Sequence, residues 1–106
     1  TNHYAADDPR PEVQNWVARY KAKYGSVPDA LATLGYDAAN LLLNAIKTAN
    51  SEDPVKVKDA LAATKDFATV SGTISFDENH NPVNKDIVVL QVKEGKFVHV
   101  ATLKPE

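Results

Sequence analysis

Between Leu31 and Ala49 an apolar residue returns at every helical turn. Leu31, Leu34, Ala38, Leu41, Leu42, Ala45, Ile46 and Ala49 keep a 3.6-residue period over about five turns. A helix with a stripe that long is stable only against a second layer, a sheet face or another helix, that hides it. The question is whether the remaining residues supply enough of that layer.

Asp37, Asn40, Asn44 and Lys47 fall on the other faces of this helix. Gly35 inside it costs roughly 1 kcal/mol relative to Ala, so it is expected to mark close packing. Ser26 and Asp29 have the capping-box spacing, with Asp in place of Glu, and Pro28 fits the first turn. Upstream, Val13, Trp16, Val17, Tyr20 and Tyr24 make a second helical stripe. Pro9 and Pro11 suit its opening, where amides lack intrahelical partners, and Asp8 is the expected N-cap. Arg19, Lys21 and Lys23 suit its negative pole, and Gly25 can take the left-handed stop. Asp53-Pro54 opens a short helix to about Ala63, with Val57, Ala60 and Leu61 as its buried edge.

After Lys65-Asp66 the period changes to two. Val70, Gly72, Ile74 and Phe76 alternate with Thr69, Ser71, Thr73 and Ser75, as in a half-buried strand. Asp77 to Pro82 is a loop by composition. Ile87–Val92 and Phe97–Leu103 read as a hairpin across Lys93-Glu94-Gly95-Lys96, with Gly95 supplying a positive φ. Thr1 to Ala6 shows no period, and the chain has no internal repeat. One strand and a hairpin are little cover for two helical stripes. Ile87 to Leu90 is itself apolar on both faces, the pattern of a strand inside a larger sheet. We therefore expect missing partners, either the rest of a longer chain or a second copy of this one.

Charge and motifs exclude more than they select. A net charge of -2 offers no basic footprint for nucleic acid and little for an anionic membrane. No apolar run, Leu41–Leu43 and Ile87–Leu90 included, is long enough to span a bilayer. With no Cys there is no disulfide scaffold or thiolate metal site. The lack of any Met, with Thr1 in first place, leads us to expect a processed or truncated product. The loop Asp77-Glu78-Asn79-His80-Asn81-Pro82 begins like a calcium loop but has Pro82 where Gly is needed and Val88 where a bidentate Glu belongs. His3, His80 and His99 lie far apart, without the i, i+4 spacing of a zinc helix. No nucleophile elbow, phosphate loop or dinucleotide turn is present. Asp7-Asp8 and Glu52-Asp53 sit at predicted helix starts, where they complement the dipole. Trp16, Tyr20 and Tyr24 could form a ligand platform, but their helical spacing reads as core. No catalytic site, metal or cofactor emerges.

Five blocks, in order and with matching spacings, resemble a known family. They are N-H-Y-A-A-D-D-P from Asn2, P-D-A-L-A-T-L-G-Y-D-A-A from Pro28, D-A-L-A-A-T from Asp59, G-T-I-S-F-D-E-N from Gly72 and E-G-K-F-V from Glu94. Together they resemble the C-terminal third of leucine/isoleucine/valine-binding proteins, type I periplasmic substrate-binding proteins of branched-chain amino acid ABC transporters. The resemblance implies an α/β fold in which this chain is a fragment: helices and a strand of one lobe, and the C-terminal β-hairpin of the other. Residues 1–6 would be a hinge crossing, 7–84 part of the first lobe, and 85–106 a further crossing with the hairpin. The implied whole is a noncatalytic periplasmic receptor that closes on a branched-chain or related amino acid and docks on ABC permease subunits. Its main ligand contacts would precede Thr1, so the fragment alone should bind poorly. One position carries over. Five residues before the tyrosine of Y-D-A the family often has an aromatic facing the ligand side chain, and here it is Leu31, a departure that leaves ligand-binding and plain core both open. Gly35 and Tyr36 are expected to pack the lobe. The alternative from a different class is a stand-alone or engineered α/β unit that forms a homodimer through exposed strand edges.

Overall fold

The computed structural model describes residues 2–105. Three helices come first: α1 (Pro11–Tyr24), α2 (Ala30–Ala49) and α3 (Pro54–Ala62). Five strands follow: β1 (Phe67–Thr69), β2 (Gly72–Phe76), β3 (Pro82–Val83), β4 (Ile87–Lys93) and β5 (Lys96–Leu103). An antiparallel sheet runs β1-β2-β3, and β4 and β5 form a separate antiparallel hairpin.

Two of the three helix starts differ from expectation. Pro9 and Pro11 keep the backbone extended up to Arg10, so α1 begins only at Pro11 and no side chain caps it. Asp8 is not the cap. It is turned inward and buried, and its carboxylate accepts from the Arg10 amide and Nε, both at 2.9 Å. At α2 the cap is Asp29, accepting from the Ala32 amide at 2.7 Å, so Pro28 precedes the helix and Ser26 takes no part. α3 follows its sequence: Asp53 accepts from the Val55 and Lys56 amides, with Pro54 in the first turn. Gly25 ends α1 at φ 75°, as expected.

The core is polar-stapled rather than leucine-filled. Tyr4, Val13 and Val70 form its centre, flanked by Ala6, Trp16, Val17, Ala30 and Tyr36. The segment without a period thus delivers two buried residues, Tyr4 and Ala5. α2 buries Thr33, Asp37, Leu41 and Ala45, a face rotated by about a quarter turn from the apolar stripe. Asp37, expected on an outer face, is 2% exposed, whereas Leu31 is 77% exposed and Leu42 and Leu43 are also open to solvent. Gly35 likewise corrects its expectation, because a Cβ built there meets nothing within 4 Å.

The expected single strand from Thr69 to Phe76 is two strands and a turn. Thr69 pairs with Gly72, and the connecting Val70-Ser71 turn points its amides at Asp37, whose two oxygens accept at 3.0 and 2.9 Å. Arg10 Nη2 donates to the Val70 carbonyl and Lys85 Nζ to the Ser71 hydroxyl. Alternation holds from Gly72 to Ile74 and fails before it, where Thr69 and Ser71 are buried together with Val70. The aromatic stripe of α1 is core at one end only. Val13 is buried, while Trp16, stacked on Tyr36 at 4.2 Å, leads outward through Tyr20 to an exposed Tyr24.

Candidate ligand cleft

An open cleft of about 520 Å³ lies where three parts of the chain meet. The segment from Asn2 to Ala6 forms its floor, Val27 to Leu31 at the start of α2 one wall, and Leu90 with Gly95, Lys96 and Phe97 of the hairpin the other. Leu31, the one residue singled out for ligand contact, sits in the first wall and is exposed.

Local chemistry fixes each wall. On the helix side, Tyr4 donates its hydroxyl to the Pro28 carbonyl, and Trp16 Nε1 donates to Thr33, which donates onward to the Asp29 carbonyl. Burial pushes the Tyr4 phenol above its usual value; the neighbouring Thr33 hydroxyl opposes the shift and the Asp29 charge adds to it. On the hairpin side, Glu94 and Gly95 both take positive φ, 51° and 74°, the two-residue turn that matches strand twist. Leu90 pairs with His99 while Val89 pairs with Ala101, so Val100 is an extra residue in a β-bulge.

Two straps tie the hairpin to the floor. Asn2 and Val88 exchange backbone hydrogen bonds at 2.9 and 3.2 Å. The Asp7 carboxylate accepts from the His99 amide, its two oxygens at 3.0 and 3.2 Å. Asp7 and Asp8 therefore complement no helix dipole, contrary to expectation: Asp7 holds the hairpin and Asp8 holds Arg10. Neither role was visible in the sequence: Asp7 finds its partner 92 positions away, and Asp8, only two residues from Arg10, acts through a burial that no local pattern announces. A run of two acids between an unpatterned segment and a proline is the only signal that could have hinted at it.

The other candidates stay apart. Asp77 spends its carboxylate on its own loop, accepting from the Asn81 and Asn79 amides, and these bonds hold its pKa below the usual carboxylate range. Lys85 is pulled down by burial, with the Asp37 charge opposing. Among the described residues no three His, Asp or Glu side chains converge as a metal site, and no helix is long and apolar enough to cross a membrane. The cleft offers a largely apolar surface with Asn2, Asp29 and Lys96 among its lining residues, chemistry suited to holding a small molecule.

Similarity to known proteins points the same way. A family model described as periplasmic binding protein matches residues 1–96. The chain is 32% identical over 91 residues to Leu/Ile/Val-binding protein homolog 2 of Brucella abortus, spanning 84% of this chain and 24% of that protein. The structure resembles the leucine binding protein LivK of Thermotoga maritima, at 39% identity and a TM-score of 0.84, covering 98% of this chain and 30% of that one. It also resembles LivJ of Streptococcus pneumoniae, a branched-chain amino acid transporter substrate binding protein solved with isoleucine, at 32% identity and a TM-score of 0.86. There it covers 98% of this chain and 29% of that one. The chain thus spans 24% to 30% of these relatives' lengths. In sequence and in fold it belongs to the periplasmic binding protein family, as a stretch of the type I architecture.

Proposed function

We propose that this chain contributes part of the ligand cleft of a two-lobed periplasmic receptor for a branched-chain or related amino acid. The observation that carries the reading is Leu31, 77% exposed on the wall of a cleft whose other wall is the hairpin. An exposed leucine at the start of a helix is costly to leave in water and is suited to an aliphatic side chain. In this reading residues 7–84 belong to one lobe and the hairpin of 85–106 to the other, with 1–6 and the start of 85–106 as adjacent hinge crossings. The Asn2–Val88 pairing supports that adjacency. Thr1 lies outside the described residues. The receptor is noncatalytic, takes no cofactor, works in the periplasm and hands its ligand to ABC permease subunits.

The chain alone offers too few walls to bury a small ligand. Titration of leucine, isoleucine and valine into it should give no measurable binding heat. Grafted in place of the matching stretch of the Thermotoga relative, it should restore leucine binding, and Leu31→Asp should then weaken that binding at least tenfold. A graft that folds and binds leucine equally well with Leu31→Asp would contradict the assignment of Leu31.

A further inference from the structure

We infer that Asp7 is the positioning residue of the cleft: by holding the His99 amide at the β5 bulge, it sets the angle of the hairpin wall against α2. The bulge puts Val100 out of register and bends the strand at the point where Asp7 reaches it. The bond is exposed, at 3.0 and 3.2 Å, and it matters for what it connects, residues 92 positions apart. Its two ends flank the cleft: Ala6, next to Asp7, lies in the floor, and Phe97, two residues from His99, lies in the wall. Asp8 makes the arrangement rigid from the other side. Buried and bonded to Arg10, which also donates to the Val70 carbonyl, it ties the same dipeptide to the helical body. Two consecutive carboxylates thus point to different parts of the molecule, one to the body and one to the hairpin.

The other strap, Asn2 to Val88, joins β4 alone and lies at the far end of the hairpin from the Glu94-Gly95 turn. It can act as an axis but not fix rotation about that axis. Asp7 supplies the second point on β5. That the wall touches ligand rests on the function proposed above; that Asp7 sets its angle does not.

Residual dipolar couplings measured on the chain itself test the angle without any ligand. In the unaltered chain the α2 and hairpin amides should fit one alignment tensor. With Asp7→Ala the hairpin couplings should shrink and leave that fit, while the α2, β1 and β2 amides keep it and the melting transition stays cooperative. Asp7→Asn, which keeps one acceptor oxygen, should fall between the two. A hairpin that still fits the common tensor with Asp7→Ala overturns the inference, as does a uniform loss of couplings, which would mean that Asp7 serves only general stability. Neither result bears on leucine binding by the grafted receptor, so failure of the two readings can be told apart.

Discussion

The turn at Val70-Ser71 and the hairpin β4–β5 are both short antiparallel ribbons, yet they are held by opposite means. The first is surrounded. Asp37, Arg10 and Lys85 reach it from three other parts of the chain, and Ser71 is almost fully buried. The second keeps only Val88 fully buried, while Val92 and Phe97 are 67% and 74% exposed and Ile87, Val100 and Leu103 are open as well. An isolated two-stranded ribbon is marginal in water, and this one carries apolar side chains that nothing in the described chain covers. The helical body is thus organised from within, whereas the hairpin and the outer face of α2 leave apolar side chains uncovered in the described chain.

The sharpest way to break that contrast is to remove the staple. Asp37→Ala would leave two buried amides without acceptors and Lys85 without its counter-charge, and should cost about 3 kcal/mol in urea denaturation. A loss near zero would mean that the body does not depend on Asp37. Next comes Tyr4→Phe, which strips the Pro28 carbonyl of its donor and should cost about 1.5 kcal/mol near neutral pH. Tyr4 also gives the contrast a pH signature. Because burial raises its pKa above 10, its contribution is fully present below pH 10 and is lost as pH rises past that value. Lys85 acts oppositely: with its pKa lowered, the unfolded chain holds the extra proton, so stability from this group grows as pH climbs toward the usual lysine range. Tyr4→Phe should therefore remove the fall in melting temperature above pH 10; an unchanged fall would assign it elsewhere.

Two smaller effects probe the uncovered side. Gly35→Ala should stabilise this chain by about 1 kcal/mol, since helix propensity improves and no atom stands in the way. Destabilisation would mean that the outer face of α2 is covered after all. Phe97→Thr should change stability by less than about 0.5 kcal/mol, as expected where a side chain packs on little. A loss of 2 kcal/mol or more would place Phe97 in a core.

The same contrast explains what the sequence allowed one to read. The hairpin and its turn, the α3 cap and the glycine stop of α1 follow from local chemistry, and all three helices were placed within a few residues. The stripe on α2 was correctly seen as apolar, but only its Leu41 and Ala45 edge is buried while Leu31 and Leu42 are open, because periodicity reports which side chains avoid water but not whether a partner is at hand. Asp37 was misjudged for the reciprocal reason. A carboxylate belongs outside unless amides from elsewhere come to it, and those amides lie 33 and 34 residues away. β1 was hidden because Val70 continues the alternation across a turn. Leu31 reached the cleft through family resemblance; no local pattern distinguishes it from its neighbours in the stripe. The hairpin wall and the Asp7 strap depend on contacts across the whole chain and left no pattern to find.

Amide hydrogen exchange on the unaltered chain probes this division most directly, because exchange reports how far each segment must open before its amides meet water. Val70 and Ser71 should exchange only through global unfolding, and the amides of β4 and β5 at least about a hundredfold faster through local opening. Equal protection in the two ribbons would contradict the distinction between a self-anchored body and a hairpin awaiting cover.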